Sequence, residues 1–271
     1  MAKLFKPRGA SPPRRMISEA LERELDGTGW MYPWKLANGM SVPLLGPNLP
    51  WVHSTRAEMI EGPVREALEL VGPDATALDL ACCEGWFSHR LLEWGAGRVV
   101  GVDIRQQSIR RAELVRDHFG IAPERLSFRR ADVFELDPND LGRFDVVLVL
   151  GLVYHLEHPA EALRRARALT CSLCVIESQL TRHNTPIVFT DGNADILLEA
   201  EASFAALVES KVRGDGDPLA SVTGVMSLVP NRAALEMMAR VAGFRHVRYL
   251  EPSPHHDPQY LRGDRGVLVA R

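Results

Sequence analysis

Cysteine is scarce in this chain: four in 271 residues, at positions 82, 83, 171 and 174. One adjacent pair and one near pair do not make a disulfide framework, so a reducing, cytoplasmic setting is expected. Cys171-Ser172-Leu173-Cys174 has a metal- or redox-like spacing. No second ligand pair accompanies it, so these read as small residues of a buried strand and no metal is expected. No apolar run reaches the ~18 residues of a membrane span, which excludes a membrane partner from the reading. The N-terminus, with Lys3, Lys6, Arg8, Arg14 and Arg15, lacks the apolar core of a signal peptide. A large charge excess is also missing. A net charge of −3 and a pI near 6.3 argue against an extended nucleic-acid surface, because phosphate neutralisation dominates such binding. Glycine is almost absent from the loop Ala81-Cys82-Cys83-Glu84-Gly85. A pyrophosphate loop would read Gly-x-Gly-x-x-Gly, and a Walker loop would end in Gly-Lys-Ser/Thr. Repeats and low-complexity tracts are absent too.

What is present suits one α/β domain with added segments: 46% of residues are hydrophobic and 25% charged. The run Ala77 to Ser88 reads as an apolar strand carrying Asp79, a tight loop of small residues and the start of a helix. Val99-Val100-Gly101-Val102-Asp103 is a second strand ending in an acid, which can accept both ribose hydroxyls of a nucleotide-like cofactor. Arg125 to Val133 reads as a third strand ending in Asp132. Phe144 to Leu150 is nearly all apolar, as a strand buried on both faces should be. It leads into Gly151-Leu152-Val153-Tyr154-His155-Leu156-Glu157-His158-Pro159. Polar groups just past a central parallel strand lie where open α/β sheets bind ligands.

This series of strand ends resembles the class I S-adenosylmethionine (SAM)-dependent methyltransferase superfamily. Its loop pattern is an acid-led Asp-x-Gly-x-Gly-x-Gly, and Asp79, Ala81, Cys83 and Gly85 fall on it in register. Ala81 and Cys83 depart from it, each adding a Cβ where glycine is usual. The resemblance implies an α/β, Rossmann-like seven-stranded mostly parallel sheet with helices on both faces, plus N-terminal and inserted lid segments. It implies SAM as cofactor and S-adenosylhomocysteine (SAH) as product. Asp79 and the backbone of Ala81 and Cys83 would hold the amino-acid part, with Gly85 and Phe87 at the helix start. Asp103 would take the ribose, Ile104 and Arg105 the adenine side, and Asp132 and Val133 the adenine itself. Leu150 and Tyr154 would sit near the sulfonium.

The expected organisation is a flexible basic tail over 1–15, an N-terminal lobe and cap over 16–75, and a SAM-binding core over 76–177. An inserted lid or substrate segment follows over 178–229, and the core ends over 230–271. Ser18 opens a helix. Thr55 with Glu58 makes a capping box for a helix running toward Val71 and kinked at Pro63. Ile109, Ala112, Val115 and Phe119 form one helix face stopped by Gly120, and Asn231 caps a late helix that ends at Gly243. Two closing strands are expected near 246–250 and 266–270.

Gly151 to His155, Leu228 to Leu235 and Ala242-Gly243-Phe244 resemble, more narrowly, the bacterial tRNA wobble-uridine carboxymethyltransferase group, which uses carboxy-SAM. Tyr154 matches a cofactor-contacting tyrosine of that group. A carboxylate on the cofactor would also need cationic partners, for which Lys35 and Arg262 are the candidates; plain SAM is preferred over carboxy-SAM. His155 is the first candidate base, with His158 and Tyr154 beside it, because histidine titrates near neutral pH. In the alternative, His155 closes a turn and proximity alone drives transfer. Glu177, His183 and Trp34 are candidate substrate contacts. His255-His256-Asp257, among prolines, reads as a surface loop. Three functions stay open. The preferred one is methyl transfer to an O or N atom of a small molecule. The second is a tRNA-modifying (carboxy)methyltransferase, with Arg164, Arg165 and Arg167 as a local basic patch. The third is a non-catalytic SAM-binding protein.

Overall fold

The computed structural model describes residues 17–27, 29–183, 189–191, 194–196, 201–208 and 226–271. The tail expected over 1–15 and much of the insertion expected over 178–229 lie outside the described residues. The chain runs α1 (Glu19–Leu25), α2 (Leu49–Val71), β1 (Thr76–Leu80), α3 (Trp86–Glu93), β2 (Arg98–Asp103), α4 (Gln106–Phe119), β3 (Leu126–Arg130), α5 (Pro138–Leu141), β4 (Phe144–Leu150), α6 (Pro159–Leu169) and β5 (Thr170–Gln179). It continues through β6 (Phe189–Asp191), β7 (Ala194–Ile196), β8 (Phe204–Leu207), β9 (Ser227–Pro230), α7 (Arg232–Val241), β10 (Val247–Leu250), α8 (Pro258–Leu261) and β11 (Arg265–Ala270).

Seven strands form one sheet in the order β10-β11-β5-β4-β1-β2-β3. β1 to β5 pair in parallel, and β11 runs antiparallel to both of its neighbours. Side chains of a strand alternate between faces. In β4, Val146, Leu148 and Leu150 join one core cluster with α2 and α3, while Val147 and Val149 join another with α6 and α7. Helices therefore cover both faces, which is why β4 is apolar apart from Asp145 near its start. β6 pairs with β7 and β8 with β9 in two small ribbons. Among the described residues, no helix is long and apolar enough to cross a membrane.

The caps explain most boundaries. The Ser18 side chain accepts from Leu21 N at the start of α1, and Asn231 accepts from Ala234 N at the start of α7. Gly120 ends α4 in the left-handed conformation. The start of α2 differs from the capping-box expectation. Pro50 is preset for a first helical turn, and the helix begins at Leu49, leaving Thr55 buried within it. Its inward stripe is Val52, His53, Thr55, Arg56, Met59, Ile60 and Val64. The helix continues through Pro63.

The segment before α2 is irregular but anchored. Trp30, Tyr32 and Trp34 are buried, and Arg111 of α4 lies over the Trp30 ring at 4.7 Å. Met31 N donates to Glu84 Oε1, and Ala37 N donates to His118 Nε2. This lobe is thereby held over the strand ends.

Candidate active site

A cavity of about 440 Å³ opens at the carboxyl ends of β1, β2 and β4 and is roofed by the N-terminal lobe. Its first half is built by the loop after β1. Ala81 and Cys83 adopt the left-handed conformation, at φ 58° and 49°, a backbone normally left to glycine. The turn aims Cys83 N at Asp103 Oδ2, 2.9 Å away, and Arg105 N donates to Asp103 Oδ1 at 2.8 Å. The carboxylate is thus fixed at the end of β2 with lone pairs to spare. Ala81, Cys83, Asp103, Ile104 and Arg105 all line the cavity, as do Asp132, Val133 and Leu150. Asp132 lies just beyond β3, where it caps a short turn by accepting from Phe134 N. These groups suit a nucleoside carrying a sulfonium and no phosphate. Asp103 would receive the ribose, and apolar side chains such as Ile104, Val133 and Leu150 would flank the nucleoside. The Cβ atoms of Ala81 and Cys83 stand where a pyrophosphate would need bare backbone.

Three expected cofactor residues lie beneath the cavity instead. Asp79 is buried and accepts from Ser88 Oγ at 2.7 Å, tying β1 to α3. Burial pushes its carboxyl up to about 7, against the lowering effect of the Ser88 bond. Gly85 has φ +77°, and a Cβ there would stand 2.6 Å from Phe128 Cζ. Phe87 is core, edge-on to Tyr32 and Trp86. All three shape the loop from behind.

The second half of the cavity holds the lobe and α2. Tyr154 and His155 line it, with ring centroids 4.2 Å apart. His158 does not; it precedes α6 and its ring meets Phe134. Trp34 packs edge-on against His89, away from the cavity, because the lobe turns its tryptophans into the core. His183 is exposed, and its carbonyl accepts from Ser203 and Asn231. Among the described residues of 178–229, Gln179 alone lines the cavity, so the observed roof comes from residues 31–56.

Sequence reasoning passed over Arg56, Arg265 and His53, all on the cavity wall. Glu177 is fully buried behind the two arginines, with Arg56 Nη2 at 2.9 Å and Arg265 Nη1 at 2.8 Å. Tyr260 donates to the same carboxylate at 3.0 Å. Burial pushes the Glu177 carboxyl up, but Arg56 and Arg265 together hold it below its ordinary value. Two buried guanidinium groups thus share one carboxylate, leaving one positive charge in surplus. The cations proposed from the resemblance are elsewhere: Lys35 is in the lobe facing Ser41, and Arg262 pairs with Asp264 on the surface. The stripe of α2 was the signal for His53 and Arg56, since both fall on its inward face.

Outside the cavity, Glu58 Oε2 lies 2.9 Å from His255 Nε2 and 3.2 Å from His256 Nε2. Ser253 N–H donates to His256 Nδ1 at 2.9 Å, so Nε2 carries the proton and donates to Glu58. A metal-bound histidine presents a lone pair and donates from its other nitrogen; this arrangement is the reverse. The cluster is a clasp between α2 and the loop before α8, completed by Asp257 N donating to Thr55 Oγ1. His256 and Asp257 are buried rather than surface residues.

A model of the family described as "Methyltransferase domain" matches residues 72–210. The tRNA U34 carboxymethyltransferase of Pseudomonas syringae pv. tomato is 27% identical over 241 residues, covering 87% of this chain and 66% of that protein. The enzyme of the same name from Actinobacillus pleuropneumoniae is 32% identical over 98 residues, covering 35% of this chain and 29% of that one. The chain therefore spans less than two thirds of the length of either relative. Among solved structures, the N-terminal domain of EvdMO1 with SAH bound superposes with a TM-score of 0.68 at 22% identity, covering 93% of this chain and 95% of that one. The SAH-bound magnesium protoporphyrin IX methyltransferase of Synechocystis PCC 6803 gives 0.54 at 15%, covering 92% of each chain. These likenesses show a shared fold. With the strand order and the family match over half its length, the chain belongs to the methyltransferase-domain family.

Proposed function

We propose that the protein transfers the methyl group of SAM to an oxygen or nitrogen atom of a small-molecule acceptor. The observation that carries this reading is the roof: Met31, Tyr32, Asn48, Leu49 and Val52 close the acceptor half of a cavity that also offers Gln179, Gln259 and His155 as hydrogen-bonding groups. A pocket of this kind, mostly apolar with a few directed polar groups, suits a small ligand. The EvdMO1 domain, also seen with SAH and D-fucose, offers a parallel for a sugar-sized acceptor. The basic patch on α6 is partly spent: Arg164 and Arg165 both pair with Glu161, and Arg167 donates to the Gly243 carbonyl.

A second reading, carboxymethyl transfer to a tRNA wobble uridine with carboxy-SAM as donor, has two supports: the named relatives and the surplus guanidinium charge beside Tyr154, which would suit a carboxylate. The test is calorimetric titration with SAM, SAH and carboxy-SAM, followed by SAH-release assays against panels of small hydroxyl and amine acceptors and against tRNA. SAM binding with release driven by a small acceptor supports the first reading. A preference for carboxy-SAM with tRNA as acceptor overturns it. Binding without release in any assay favours a non-catalytic SAM-binding protein.

A further inference from the structure

His53 sits on the cavity wall with an unanswered hydrogen-bonding atom. Its Nε2 lies 3.0 Å from the Met31 carbonyl oxygen. A carbonyl can only accept, so Nε2 carries the proton of the neutral ring and Nδ1 is left with a lone pair. Among the described residues that Nδ1, although buried, meets no donor. A buried acceptor without a partner costs roughly 1–3 kcal/mol, and in a ligand cavity the missing donor is a natural place for the ligand's own O–H or N–H.

We propose that His53 is the catalytic base, taking the acceptor's proton on Nδ1. This rests on the small-molecule methyl-transfer reading above. The acceptor's O–H or N–H bond breaks and the proton passes to Nδ1. The lone pair so released forms the bond to the methyl carbon, and the electron pair of the carbon–sulfur bond stays on sulfur. One positive charge leaves the sulfonium as one appears on the imidazole, so the pocket's charge is unchanged. The groups facing the ring favour a neutral base beforehand. Burial first, then Arg56 one turn along α2, and also Arg265 from β11, hold His53 well below its ordinary pKa, against the Met31 hydrogen bond. The Tyr32 ring packs on it at 4.2 Å. Met31 and Tyr32 belong to the lobe, so the segment that roofs the cavity also sets the tautomer.

The test combines side-chain nitrogen NMR of the full chain with kinetics of His53→Gln and His155→Gln. NMR should show His53 neutral at pH 7 with its proton on Nε2. Glutamine can still donate to Met31 and is not basic. His53→Gln should therefore bind SAH as the wild type does while turnover falls roughly 10²–10⁴-fold, with recovery at high pH as the acceptor ionises by itself. His155→Gln should keep the wild-type pH profile. A charged ring, or a proton on Nδ1, overturns the proposal whether or not an acceptor has been found. So does wild-type turnover by His53→Gln. By contrast, a wild-type protein that binds SAH yet releases none with any small acceptor refutes the methyl-transfer reading itself.

Discussion

Replacing Glu177 by glutamine should expose how much of the fold depends on one carboxylate. The substitution keeps shape and one acceptor oxygen, but removes the negative charge shared by Arg56 and Arg265, which approach to 2.9 and 2.8 Å. All three groups are buried. Breaking a buried ion pair by removing one partner costs about 3–5 kcal/mol, because a desolvated charge is stranded. Set against the 5–15 kcal/mol typical of whole domains, this is a severe loss. At about 2–4 °C per kcal/mol it lowers Tm by about 6–20 °C. Differential scanning calorimetry at pH 7 reads it directly. The pH dependence supplies a second check. Glu177 titrates below its ordinary value of 4.5 in the fold, so its contribution is present above the unfolded pKa and is lost as pH falls through the folded one. The gap between wild type and Glu177→Gln should therefore be constant from neutral pH down to about 4.5 and narrow below that. A loss under ~1 kcal/mol at pH 7, or a gap that does not narrow in acid, would refute the stranded-charge argument.

Two further outcomes follow from groups beneath the cavity. Gly85→Ala should destabilise by about 1–3 kcal/mol, from its positive φ and the Phe128 ring; urea unfolding should show part of this restored when Phe128 is also cut to leucine. Asp79, with a folded pKa near 7 against 3.8, binds more protons in the native state than in the unfolded state between those values. Stability should fall there as pH rises, by roughly 4 kcal/mol at most, and Asp79→Asn should flatten that slope in melts from pH 4 to 8.

The sheet was readable because a strand buried on both faces must be apolar throughout, and because the acids at strand ends break those runs. Ser18, Gly120 and Asn231 were readable because capping is local chemistry. The acceptor half was not. Thr55 and Glu58 satisfy a capping pattern, but Pro50 starts the helix earlier, so His53 was hidden in a supposed loop and Arg56 stood at the first position of the expected helix, its inward face unmarked. Thr55 and Glu58 instead bind partners some 200 residues away. Arg265 gains its meaning from Glu177 across antiparallel pairing of β11 with β5, which no local pattern announces. Trp34 and Phe87 show the opposite error: an aromatic near a site in sequence is as often packing as contact.

The charges around Glu177 also set a timetable for synthesis. Arg56 precedes the glutamate in the chain, whereas Arg265 follows it by 88 residues. At ~5–20 residues per second, that interval lasts about 4–18 s. Through it β5 waits with one side of its backbone unpaired, since β11 is its neighbour there, and Glu177 has received only its first arginine. The nascent protein thus passes through a stage in which a complete cofactor loop coexists with an open sheet edge. A chaperone or an intermolecular strand would find its opening then, before residue 265 arrives to complete both the sheet and the cavity wall.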